Sequence, residues 1–69
     1  MSDDDRLGDA LRELIIWGPF AVYRHGAPGY WSYRVTIEVP HSASEVVGIG
    51  SSLRIAAERC VRNVKRRKA

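Results

Sequence analysis

The stretch from Tyr30 to Val39, "YWSYRVTIEV", constrains the fold more than any other part of the chain. Trp31, Tyr33, Val35, Ile37 and Val39 alternate there with Tyr30, Ser32, Arg34, Thr36 and Glu38. Successive side chains of a β-strand point to opposite faces, so this alternation predicts a strand with one face in a core and one in water. Such a strand needs neighbours in a sheet and a second layer over its apolar face.

Both are present in the pattern. "FAVYR" (Phe20 to Arg24) reads as a strand before it and "EVVGIG" (Glu45 to Gly50) as one after it. "HGAPG" and "PHSAS" supply the intervening turns, rich in residues that accept unusual backbone angles. Three antiparallel strands are about the least that makes an independently stable sheet.

The covering layer comes from the two ends. A helix is predicted from Asp3 to Trp17, with Ser2 as N-cap and Asp5 three residues on, a capping box with Asp in place of Glu. Leu7, Ala10, Leu11 and Leu14 form its apolar face, and Gly18–Pro19 stops it. A second helix starts at Ser51 or Ser52, and Leu53, Ala56, Ala57, Cys60, Val61 and Val64 make its core stripe. The expected architecture is α+β in the order α-β-β-β-α, with two helices on one face of a three-stranded antiparallel sheet. Trp17 and Trp31 are expected in its core.

At 69 residues the chain is a single domain, residues 1–69. Domains this small bury only about 60% of their unfolded surface and gain from a staple or a partner. Cys60 is the only cysteine, which rules out an internal disulfide and fits a reducing compartment. "MSDDDRLG" lacks the basic start and apolar run of a signal peptide, and no stretch is long and apolar enough to span a bilayer. A cytoplasmic protein with no membrane partner is expected.

Catalytic and metal chemistry find little support. His25 and His41 fall in turns with no cysteine nearby, and Cys60 belongs to the core stripe, so neither a zinc set nor another metal site is expected. Ser51 and Ser52 suit a helix cap. Asp3, Asp4 and Asp5 lie on an open terminus rather than in a pocket that would tune them. "GIG" at Gly48–Gly50 lacks the third glycine and the lysine of phosphate-cradling loops. The chain reads as a non-enzyme without cofactors.

Binding chemistry is better supplied. The net charge is only +3, but Asp3–Asp5 open the chain while Arg59, Arg62, Lys65, Arg66, Arg67 and Lys68 close it. At 100° per residue Ile55 falls opposite the core stripe, followed by Arg59, Arg62 and Arg66 along one line. That predicts an exposed ridge of one isoleucine and three arginines. Ile16 likewise falls off the apolar face of the first helix. Tyr30, Arg34 and Thr36 are expected on the open sheet face, and the "HGAPGYW" loop offers Tyr30 as a further contact.

With Gly48, Gly50, Ser52, Arg54 and Ala56 in matching places, Phe20 to Val64 resembles the double-stranded RNA-binding domain. "GAPGYW" echoes the loop between that family's first two strands. The resemblance implies the α-β-β-β-α fold and a double-stranded RNA partner held by basic residues at the start of the second helix. Leu53 and Ala57 stand where the family carries two of its lysines, leaving Arg54. The strand, glycine, Ser cap and alanine-rich helix also resemble the small partial RNase-like fold of HicB-type antitoxins. In size and composition the chain is similar to small accessory proteins of phages and other mobile elements, which act by covering a host protein's surface.

The favoured expectation is a small regulator or inhibitor that binds a protein or protein complex through Ile55, Arg59, Arg62 and Arg66, with Tyr30 and Arg34 on the sheet. Arginine beside an apolar anchor is a common interface composition. The alternative is a nucleic-acid-binding module, for double-stranded RNA or the DNA backbone, using Arg54, Arg59, Arg62, Lys65, Arg66, Arg67 and Lys68. Association into a homodimer is a further expectation for so small a domain.

Overall fold

The computed structural model describes residues 2–38 and 45–68, Lys68 by its backbone alone. The element order is α1 (Asp3–Trp17), β1 (Phe20–His25), β2 (Ser32–Glu38), β3 (Glu45–Gly50) and α2 (Leu53–Lys68). The sheet is antiparallel in the order β1-β2-β3, so the architecture is the α-β-β-β-α expected from the sequence. His41, and Val39 at the end of the expected central strand, lie outside the described residues.

Local signals act where the sequence places them. Ser2 caps α1, its hydroxyl accepting from the Asp5 N–H at 3.3 Å, and three aspartates occupy the first turn, where the helix dipole favours them. Gly18 ends the helix with its N–H on the Leu14 carbonyl at 3.1 Å. Ser52 caps α2 in turn, accepting from the Ile55 N–H at 3.2 Å.

The central strand behaves as its alternation demands. Val35 lies between Val22 and Gly48, and Ile37 between Phe20 and Val46, with both central side chains fully buried. α2 lies across β2 and β3, and α1 packs along α2. Leu14, Val35, Ile37, Val46 and Val64 are the largest sequestered side chains besides Cys60. Each contributes roughly 1.5–3 kcal/mol by leaving water. Leu7, Leu11, Trp17, Phe20, Tyr33 and Leu53 pack around them partly exposed.

Two expectations are corrected. Tyr30 belongs to a turn rather than to β2: its N–H donates to the Ala27 carbonyl at 2.8 Å. Pro28 and Gly29 (φ 87°) hold the central positions, the signature of a type II turn. Trp31, expected in the core, is only half-buried and carries the Arg24 guanidinium over its ring, 4.0 Å from the centroid.

The contact between α2 and β3 is exceptionally close. A Cβ on Gly48 would collide with the Ala56 carbonyl and the Cys60 amide, both backbone atoms of α2. One on Gly50 would meet Ile55 and the Ala56 amide. Ala56, Ala57 and Cys60 present correspondingly small side chains, all fully buried. Small residues on both surfaces therefore let the helix backbone rest against the strand. Replacing Gly48 by alanine should push α2 off β3 and cost on the order of 3 kcal/mol. Gly29→Ala, with open space around it, should cost about 1 kcal/mol from its backbone angle alone. Urea unfolding of the two variants checks the difference.

Candidate functional site

The exposed side of α2 carries Arg59, Arg62 and Arg66 in line, as their spacing predicts, with Arg67 beside them. Ile55, expected to head that ridge in the open, is corrected: it is half-buried, with its Cγ2 filling the space above Gly50. The missing side chain at position 50 leaves a hollow, and the nearest apolar group on the helix turns into it. The apolar anchor therefore has to come from elsewhere.

It comes from the open face of the sheet. Tyr23 pairs with Arg34, and Arg34 with Ile49, which places the three side chains side by side in one row across all three strands. Tyr23 is 50% exposed and Ile49 53%, with Arg34 exposed between them. Thr36, expected to be open beside Arg34, is instead buried, its short side chain shielded between Ala21 and Val47. At the β3 end, the Arg59 guanidinium donates to the Ile49 carbonyl at 2.8 Å. That bond brings Arg59 to the β3 end of the row, whereas Arg62 borders the groove between α1 and α2 with Arg6 and Glu58. Tyr30 stands apart on its turn and Ile16 at the end of α1, both strongly exposed.

Sequence reasoning found Arg34 and Arg59 but missed Tyr23 and Ile49. Both sit in short strands whose inward and outward positions are not evident from alternation alone. The register against β2 assigns them to the outer face. The alternation of β2 was the signal that could have found them, once its partners were aligned on it.

Several basic residues are engaged within the molecule. Arg54 hydrogen-bonds Glu58, and its Nε lies 3.2 Å from an Asp3 carboxylate oxygen without hydrogen-bond alignment. Arg6 reaches Glu58 from α1 at 3.0 Å, and Lys65 pairs with Glu13 at 2.6 Å. These pairs tie α1 to α2 across the groove between them. Arg62, Arg66 and Arg67 have no carboxylate partner among the described residues. The Lys68 side chain lies outside them.

The remaining titratable groups form no further centre. No three His, Cys, Asp or Glu side chains gather in metal-binding geometry among the described residues. His25 is exposed at the end of β1. Burial pushes the Cys60 thiol up to about 11, which keeps it protonated and a poor nucleophile at neutral pH. No helix among the described residues is long and apolar enough to cross a membrane.

Glu58 is held below its ordinary value chiefly by its hydrogen bond to Arg54; desolvation opposes this, and Arg6 lowers it further. A carboxylate whose folded pKa is depressed contributes stability above its unfolded pKa and loses it as pH falls through the folded value. The native chain should therefore lose thermal stability as pH falls below the normal glutamate range. Glu58→Gln should show a smaller difference in Tm between pH 7 and pH 3, measured by circular dichroism.

Comparison with protein-family models, with curated proteins and with solved structures finds no match to this chain.

Proposed function

We propose that this chain is a non-enzymatic regulator that binds a partner protein through the Tyr23–Arg34–Ile49 row and the adjoining ridge of Arg59, Arg62 and Arg66. The observation that carries this reading is the cross-strand row itself. It sets an aromatic, a guanidinium and a branched aliphatic side chain together, exposed, on a rigid sheet. Tyrosine and arginine are enriched among residues that dominate binding energy, and rigid anchors lose little conformational entropy on docking. The arginines on the helix supply a cationic margin, which suits a partner surface with carboxylates at its edge. Such a protein acts by occupying its partner's surface rather than by chemistry.

A nucleic-acid-binding role is the second reading, favoured by Arg62, Arg66 and Arg67, which are exposed and have no carboxylate partner among the described residues. The ion pairs of Arg54 and Lys65 reduce the cation set expected for it. Arg59 is already hydrogen-bonded to β3.

Affinity capture with tagged protein, with and without nuclease, separates the two. The protein-binding reading expects a discrete partner that survives nuclease, is lost with Arg34→Glu or Ile49→Asp, and is retained with Arg66→Gln/Arg67→Gln. Retained nucleic acid would sink it, above all if the affinity fell steeply with salt and each lost arginine lowered the salt slope by about 1.

A further inference from the structure

The two edges of the sheet are treated differently. On β3, the carbonyls of Val47 and Ile49 are taken by side chains of α2: the Asn63 amide donates to one at 2.7 Å and Arg59 to the other at 2.8 Å. The helix thereby occupies two outward carbonyls of that edge and lays its side chains along it. β1 forms the opposite edge, and no side chain among the described residues donates to its outward carbonyls.

The direction of the occupied carbonyls fixes which groups of β1 are free. In an antiparallel strand, the N–H and C=O of one residue point to the same side, and neighbouring residues alternate. Val47 and Ile49 point outward, so Val46, Gly48 and Gly50 face β2 and engage Ile37, Val35 and Tyr33. Arg34 and Thr36 are then directed at β1, where they meet Tyr23 and Ala21. Phe20, Val22 and Arg24 are left with their backbone groups aimed away from the sheet. No loop amide or side chain among the described residues satisfies them.

Sheet edges are normally guarded by proline, lysine, a bulge or a covering element. "FAVYRH" contains neither proline nor lysine, and its register against β2 is unbroken. Its one arginine is drawn onto Trp31. On the helix side of the sheet, Val22 remains 44% exposed, and Phe20 shares a shallow hollow with Ile15 and Pro19. Among the described elements, the principal packing partner of β1 is β2.

We propose that β1 pairs with β1 of a second copy of this chain, antiparallel and two-fold about Val22, to make one continuous sheet through both molecules. In this register Val22 lies opposite its own mate, Phe20 opposite Arg24, and Ala21 opposite Tyr23. Every outward-facing residue of the strand then sits in a narrow pair that exchanges two backbone hydrogen bonds. Core-side residues meet core-side residues, bringing the exposed Val22 side chains together. Charge selects the same register. The two Arg24 residues are four positions apart along the seam, about 13 Å, beyond the screening length of about 8 Å at physiological salt. A two-fold about Tyr23 would bring them to about 7 Å, and a parallel in-register pairing to about 5 Å. This pairing lies outside the proposed docking surface except at Tyr23, whose side chain stays on the open face, and it does not depend on that reading.

The test combines sedimentation equilibrium with amide hydrogen exchange followed by NMR across a dilution series. The expected result is a reversible dimer in which the amides of Phe20, Val22 and Arg24 are protected at high concentration and lose protection on dilution. Val22→Pro deletes an outward donor without touching the β1–β2 ladder, and should weaken the dimer about tenfold or more because each copy loses a bond. Val22→Lys, which keeps every backbone group but sets two charges at the seam, should do the same with the circular dichroism of the native chain. A monomer at every concentration would overturn the proposal. So would a dimer whose Phe20, Val22 and Arg24 amides exchange freely, or one that Val22→Lys leaves intact. Loss of a captured partner protein on Ile49→Asp, with dimerisation unchanged, would bear on the docking surface alone.

Discussion

Everything in this small domain follows from how closely α2 rests on β3. Gly48 and Gly50 remove two side chains from the strand, and Ala56, Ala57 and Cys60 keep the opposing helix face small. The helix backbone descends into that space. At this separation α2 does more than cover the sheet's apolar face. Arg59 and Asn63 are brought within reach of the strand's outer carbonyls and take up those of Ile49 and Val47.

The same approach displaces the helix layer toward β3 and sets the character of the opposite margin. α1 packs on α2, so β1 is left with exposed apolar side chains and with backbone groups that the described residues do not meet. Domains of this size have little core to rely on, and surface that one copy cannot bury is a reason to associate. The occupied edge and the open edge are two consequences of one packing decision.

Charge is distributed by the same geometry. Acidic residues of α1 and Glu58 take up Arg54, Arg6 and Lys65, so the start of α2 is held by ion pairs. In the double-stranded RNA-binding domain that the sequence resembles, this is where the partner is held. These pairs are partly exposed, and each contributes little to stability individually. Their larger effect is to leave the cationic surface to Arg62, Arg66 and Arg67, with Arg59 committed to β3 and close to the Tyr23–Arg34–Ile49 row.

The sequence by itself determined the elements, their order and most of the core. Those depend on short-range periodicity and capping, which are written in consecutive residues: Val35 and Ile37 by period two, Leu14 and Val64 by the helical repeat, Ser2 and Gly18 at a helix's ends. It also placed Cys60 inside and aligned Arg59, Arg62 and Arg66. Only the tertiary structure decided which exposed residues stand together. Ile55 turned inward because position 50 lacks a side chain, a fact of one element felt on another. Trp31 stayed half-open, with the Arg24 guanidinium over its ring. Tyr23 and Ile49 became neighbours of Arg34 through strand register, and the free edge passed to β1 through the direction of two carbonyls on β3. Such relations join residues far apart in the chain, and they appear only when the elements pack.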